Sequence, residues 1–233
     1  MGSFTIERMM AFLGETGKGI QRVLGAFVGQ TCPVCLAVTQ AETPRLCLKC
    51  FSELKTWDKV FPPRPTLPDH IDGFFAPLLY EEGAKRLIHQ YKYSDKRMLA
   101  EALLPFLMRE LATIDEEIES VMAVPMHRKR HWWRQFNQSY LLAEGLAARA
   151  GLAHESDFLE RSRSTRPQRG LSAKHRKSNL KGAFNVLEDM TGKSVLLIDD
   201  VWTTGSTMEE CAKVLKKSGA NRVFALTICF VEP

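Results

Sequence analysis

The stretch Val195 to Thr207 reads Val-Leu-Leu-Ile-Asp-Asp-Val-Trp-Thr-Thr-Gly-Ser-Thr. Its first four residues are apolar without polar alternation, the pattern of a central parallel strand covered on both faces. Asp199 and Asp200 follow directly. Thr203, Thr204, Gly205, Ser206 and Thr207 are then small enough to turn tightly while presenting hydroxyls and backbone amides. A helical pattern runs from Met208 to Lys217 and stops at Gly219, so the small residues lie at a helix N-terminus. Unpaired amides and the helix dipole make that position an anion site. Carboxylates beside it would repel a phosphate they touched, so a suitable ligand separates its phosphate from its carboxylate contacts by hydroxyls or a cation.

An apolar strand, two acids and Thr-Thr-Gly-Ser-Thr resemble the phosphoribosyl pyrophosphate (PRPP) motif of type I phosphoribosyltransferases. The resemblance implies that Asp199 and Asp200 take the ribose hydroxyls and Mg2+, while Thr203 to Thr207 hold the 5-phosphate. A P-loop reading fails, because no Gly-x-x-x-x-Gly-Lys-Ser/Thr string occurs.

The 233 residues allow one large domain or a mid-sized domain with a small attachment. Four of the six cysteines fall within nineteen residues as Cys32-x2-Cys35-x11-Cys47-x2-Cys50. Two close pairs at that separation let four thiolates converge on one tetrahedral Zn2+. Disulfides are the competing reading, weakened by the lack of a secretory leader pattern. Cys211 and Cys229 sit in helical and strand patterns and are read as core residues.

Residues 1–30 form a separate N-terminal segment. Ile20, Val23, Leu24, Phe27 and Val28 share one helical face, suited to docking on the rest of the chain or to a peripheral membrane or partner contact. Glycines and charges interrupt its apolar residues, so no transmembrane segment is expected. Four prolines in Phe61 to Pro68 suggest a linker and place the boundary between a four-cysteine module (31–62) and a larger α/β domain (63–233). In that domain the expected elements are a strand over Gly73–Tyr80 and helices over Glu82–Tyr91 and Met98–Leu111, the second kinked or split at Pro105. A strand over Val121–Met126, a helix over Gln138–Arg149 closed by Gly151, and strands over Val195–Ile198 and Val223–Phe230 complete an open parallel sheet.

Net charge is +5, and its placement matters more than its size. Between Met126 and Gly182 thirteen Lys/Arg face four acids. The flanking strands send two basic segments to the ligand-binding edge of such a sheet. Trp132 and Trp133 stand among Arg128, Arg130 and Arg134, a combination able to stack bases while cations track phosphates.

Three further segments resemble the ComF (GntX-like) family: Tyr80 with Leu87-Ile88 and Tyr91-Lys92-Tyr93; Arg134-Gln-Phe-Asn-Gln-Ser; and Arg161 with Thr165, Gln168, Leu171, Arg176, Asn179 and Phe184. With the cysteines and the PRPP motif, the likeness covers nearly all of residues 30 to 231. That family joins a zinc-finger-like module to a type I phosphoribosyltransferase-like domain and serves natural transformation, the import of single-stranded DNA. It implies a pyrophosphate loop around His127, Arg128, Arg130 and Arg134, and a flexible loop carrying Arg166, Gln168 and Arg176. A departing pyrophosphate could be stabilised by Arg128, Arg130, Arg134 or Arg176, and the resemblance does not choose among them. Asn137 and Gln138 are read as residues that fix the loop by hydrogen bonding. The sequence departs from the family at Gln135, where glycine is usual.

Three residues follow Phe230, so a base-recognising hood is expected elsewhere, with the cysteine module a candidate. Two functions follow. One is a cytoplasmic competence protein, with or without peripheral contact at the inner membrane, that binds PRPP or a related phosphate and handles single-stranded DNA beside other uptake-machinery proteins. The other is an active phosphoribosyltransferase with an unidentified acceptor.

Overall fold

The computed structural model describes residues 31–39, 46–57, 65–93, 96–126, 137–163 and 179–232. Its centre is β7 (Ser194–Trp202), paired in parallel with β8 (Arg222–Phe230) on one side and β3 (Ser120–Ala123) on the other. β4 (Ala153–His154) extends the β3 side, while β1 (Gly73–Phe75) and β2 (Leu78–Leu79) both pair with β8, giving the order β1-β8-β7-β3-β4 with β2 further along β8. β5 (Leu159–Arg161) and β6 (Phe184–Val186) form a separate antiparallel pair.

The apolar run predicted to be covered on both faces is so. Leu196 and Ile198 enter a core with α2 (Glu82–Tyr93), α3 (Lys96–Leu111) and α4 (Gln138–Ala150). Val195 and Leu197 enter a second core with α5 (Ser206–Lys217). Each strand residue thus alternates between two helical layers. A fifth, short helix, α1 (Leu48–Ser52), lies in the four-cysteine segment.

β4, β5 and β6 were not expected from sequence, and the expected elements differ at several points. β7 continues four residues past Ile198, because β8 remains alongside and pairs Asp199 with Thr227 and Trp202 with Phe230. The expected strand over Gly73–Tyr80 is two strands: Ala76 and Pro77 separate them, and proline has no N–H for the ladder. α3 passes through Pro105 without splitting, its apolar face held by the core. β3 stops at Ala123, although the Val124 N–H still donates to the Ile198 carbonyl at 2.9 Å.

Residues of the cysteine segment join the larger core. Thr56 bridges Leu78, the Trp57 N–H donates to the Pro77 carbonyl at 3.0 Å, and Trp57 packs on Phe74 and Phe230. The chain before β1 straps α5 at two points. Asp72 receives Lys216 Nζ at 2.7 Å, the Val223 N–H at 2.7 Å and Arg222 at 3.3 Å, and Glu209 receives the His70 N–H at 3.1 Å and contacts its ring at 2.7 Å. Partial burial raises the Asp72 carboxyl, but Lys216, the Val223 amide and Arg222 outweigh it and hold the group below the usual carboxylate range.

A group depressed in the fold stabilises above its unfolded pKa and loses that contribution as pH falls through the folded one. Asp72→Ala is therefore expected to lower unfolding free energy by about 2 kcal/mol at pH 7. The difference should shrink below about pH 4, where the unfolded chain binds its proton first. Urea titrations of both proteins across pH measure it, and a pH-independent difference would count against the ionic assignment.

Candidate phosphosugar site and cysteine cluster

The winding of the sheet reverses between β3 and β7. β3 leads through α4 to β4 on one side, and β7 leads through α5 to β8 on the other, the two helices covering opposite faces. Such a reversal opens a crevice beyond the carboxyl ends of the strands, where ligands of open α/β sheets bind. The N-termini of α4 and α5 both lie beside the ends of these strands.

Asp199 and Asp200 occupy this crest within β7. The Ser139 hydroxyl, in the first turn of α4, donates to Asp199 Oδ1 at 2.8 Å, and the Asp200 N–H donates to the same oxygen at 2.9 Å. Asp200 Oδ2 meets Lys92 Nζ at 2.8 Å. Burial, and after it the charge of Asp200, push the Asp199 carboxyl up to about 7, against the opposing Asp200 amide, Ser139 and Lys92.

The Thr203 to Thr207 segment turns directly from β7 into α5. Gly205 is the N-cap with φ +68°, and a Cβ there would lie 2.4 Å from the Trp202 ring. Only glycine meets both demands. Trp202 is buried and packs at a tilt against Phe74, ring centroids 4.2 Å apart, and Phe74 also packs against Trp57 and Phe230. The turn thus rests on an aromatic floor reaching into the cysteine segment. Thr203 and Thr204 are exposed, the Thr204 and Ser206 hydroxyls are 2.8 Å apart, and the Glu209 N–H returns to the Gly205 carbonyl at 2.8 Å. Ser206 and Thr207 belong to the helix, not to the loop. Hydroxyls and the positive end of the helix dipole thus come together at the start of α5.

Asn137 does what its sequence reading proposed. Its Oδ1 accepts from the Ser139 N–H at 3.1 Å, capping α4, and its Nδ2 donates to the Val124 carbonyl at 3.1 Å. It therefore ties the end of β3 to the start of α4. Gln138 acts through its backbone, its carbonyl accepting from the buried Tyr91 hydroxyl at 2.7 Å. The pyrophosphate-loop residues His127, Arg128, Arg130 and Arg134, the aromatics Trp132 and Trp133, and Arg166, Gln168 and Arg176 lie outside the described residues. The flanks of these segments are described: the first is bounded by Met126 and by Asn137, whose neighbour but one, Ser139, bonds Asp199. The second leaves and re-enters through β5 and β6, where Arg163 donates to the Asn179 carbonyl at 3.0 Å and the Lys181 carbonyl at 2.8 Å.

Lys92 and Ser139 were not picked out as site residues from sequence. Both fall within segments that carry the family likeness, Tyr91-Lys92-Tyr93 and Arg134 to Ser139, but no local spacing ties either to the acidic pair.

The four cysteines converge as their spacing predicts. Their sulfurs all lie within 4.8 Å of one another, a set that can hold a metal ion, and none of the six cysteines is in a disulfide. Cys47 caps α1 by accepting the Cys50 N–H at 3.4 Å, and its sulfur lies 3.5 Å from that of Cys35. Burial pushes the Cys32 thiol up, yet backbone hydrogen bonds from Cys47, Cys35 and Val34 prevail and hold it at about 6. Cys50 is pushed up by burial and the neighbouring thiols. Crowded thiolates of this kind are relieved by a cation. Cys211 and Cys229 are fully buried in the core, as expected.

Residues 137–232 match the phosphoribosyl transferase domain model. The chain is 34% identical over 204 residues to DNA utilization protein YhgH of Escherichia coli, covering 85% of this chain and 83% of that protein. It is 31% identical over 185 residues to competence protein F of Haemophilus influenzae, covering 76% and 75%. With competence protein ComFC of Streptococcus pneumoniae it shares 32% identity over 151 residues, 64% of each chain. The parallel α/β sheet is that of a type I phosphoribosyltransferase fold, with the cysteine cluster at its N-terminal end.

Proposed function

The chain belongs to the ComF family, and from that premise we propose that it serves DNA uptake by binding PRPP or a related phosphosugar and handling imported single-stranded DNA. The ligand half of this reading is carried by one observation: a carboxylate pair and a hydroxyl-rich helix start stand side by side at the sheet's reversal point. A 5-phosphate on Thr203 to Thr207 places the ribose diol toward Asp199 and Asp200. Carboxylate oxygens are hard donors suited to Mg2+, which would neutralise the pyrophosphate when bound. Ser139 and the Asp200 amide orient Asp199 for that contact. Four sulfurs without an open position suit structural Zn2+. In the proposed division, residues 31–62 form the zinc module and 63–233 the phosphosugar domain, with 1–30 preceding both.

The DNA half rests on the relatives named for DNA utilisation and competence and on the basic segment with Trp132 and Trp133. Arg128, Arg130 and Arg134 supply phosphate contacts, and the tryptophans stack on exposed bases. Among the described residues no helix is long and apolar enough to cross a membrane. We place the protein in the cytoplasm, beside uptake-machinery proteins at the inner membrane.

Deleting the gene should lower transformation by foreign DNA, and the purified protein should prefer single strands to duplex. Reversing charge at Arg128, Arg130 and Arg134 should weaken both transformation and DNA binding, and binding should fall as salt rises through counterion release. Undiminished transformation in the deletion strain would overturn the role. Isotope exchange between PRPP and pyrophosphate across candidate acceptors separates binding from transfer.

A further inference from the structure

We infer that Lys92 is the resident counter-ion of the acidic pair, holding on Asp200 the place a divalent cation takes when the phosphosugar binds; the inference rests on the reading of Asp199 and Asp200 as the phosphosugar's carboxylates. Lys92 Nζ lies 2.8 Å from Asp200 Oδ2, and the two side chains are only 26% and 17% exposed. This is no loose surface pair, because the backbone on both sides is anchored. Tyr91, the residue before Lys92, is fully buried and donates its hydroxyl to the Gln138 carbonyl at 2.7 Å. Gln138 opens α4, and the next residue, Ser139, donates to Asp199 at 2.8 Å. One hydrogen bond therefore joins the end of the helix that carries Lys92 to the start of the helix that holds Asp199.

The two carboxylates are satisfied by different chemistry. Asp199 meets a hydroxyl and an amide, which bring no charge of their own; Asp200 meets an ammonium, which does. A hard divalent cation seeks oxygen ligands, and here it must approach an ammonium already seated on one of them. Lysine's four-carbon stem is flexible, so Lys92 can leave Asp200 while Tyr91 keeps the helix in place. Cation and Lys92 thus compete for Asp200. A phosphosugar brings further negative charge and favours the cation, so metal alone binds weakly and metal with phosphosugar binds well. By linkage the phosphosugar also binds better with metal.

Mn2+ titrations of the full chain, read by electron paramagnetic resonance with and without PRPP, test this. Lys92→Met should bind Mn2+ alone at least about tenfold more tightly than wild type. Lys92→Arg, which keeps the charge, should match wild type, and added PRPP should narrow the gap. If Lys92→Met unfolds, Lys92→Gln is read in its place. Equal Mn2+ affinity in wild type and the neutral variant overturns the inference. So does loss of PRPP binding in that variant with Mn2+ affinity unchanged, which would make Lys92 a direct ligand of the phosphosugar. A failure of the phosphosugar reading has another signature: PRPP binds none of the proteins while Mn2+ alone still separates the variants.

Discussion

Replacing Cys47 by serine is expected to reduce zinc from about one ion per chain to near zero and to open residues 31–57 to protease. The effect is large because the segment has almost no apolar interior of its own; Val34, Leu46, Leu54 and Trp57 pack outward, against the larger domain. Its helix α1 spans five residues, and Leu36, Val38, Leu48 and Phe51 are exposed instead of forming a core of their own. In small metal modules the ion contributes on the order of 10 kcal/mol, more than so small an apolar interior supplies. Cys47 also accepts the Cys50 N–H, so the substitution removes a ligand and weakens a helix start together. The damage should reach further than the module. Trp57 packs on Phe74, and Phe74 on Trp202 beneath Gly205, so loss of zinc should also weaken PRPP binding. Metal analysis, limited proteolysis and PRPP titration read the three effects. Unchanged zinc content in Cys47→Ser would rule out the site, and removal of zinc by a chelator should reproduce the mutant's proteolysis.

Asp200→Asn should weaken Mg2+-dependent PRPP binding by about tenfold or more, since hydrogen bonds to charged groups contribute roughly 1.5 to 3 kcal/mol. The substitution isolates charge from shape. Asparagine keeps an oxygen that can accept from Lys92, and β7 remains paired with β8 around position 200, so thermal stability should change little. What disappears is the negative charge that a cation and the ribose hydroxyls require. DNA affinity should be spared if strand and phosphosugar occupy separate sites. Calorimetry showing equal PRPP affinity in the mutant and wild type would remove Asp200 from the site.

Much of the architecture was legible because it depends on local pattern. The unbroken apolar run at Val195 to Ile198 predicted a strand buried on both faces, and Leu196 with Ile198, then Val195 with Leu197, enter opposite cores. Gly205 was legible as a tight turn. The reason it must be glycine was not, since that lies in the ring of Trp202 and its packing on Phe74. The extra length of β7 was hidden because Asp199 and Asp200 look like the end of an apolar strand; only the continued pairing with β8 keeps them in the sheet. Asn137 was legible as a residue that fixes the chain by hydrogen bonding; that its partners are the Ser139 amide and the Val124 carbonyl was not.

The sequence alone determined what covalent order and short-range chemistry determine: the buried strand, the hydroxyl-rich helix start, the paired cysteines and the family likeness. Tertiary structure decided which distant residues stand together. Lys92 and Asp200 are 108 positions apart, and Ser139 and Asp199 are 60, separations at which no helical or strand period operates. Parallel strands place their carboxyl ends on one edge, and the reversal between β3 and β7 sends α4 and α5 to opposite faces. That arrangement, fixed by packing two apolar layers on one sheet, brings Ser139 to Asp199; Tyr91, bonded to Gln138, brings Lys92 to Asp200.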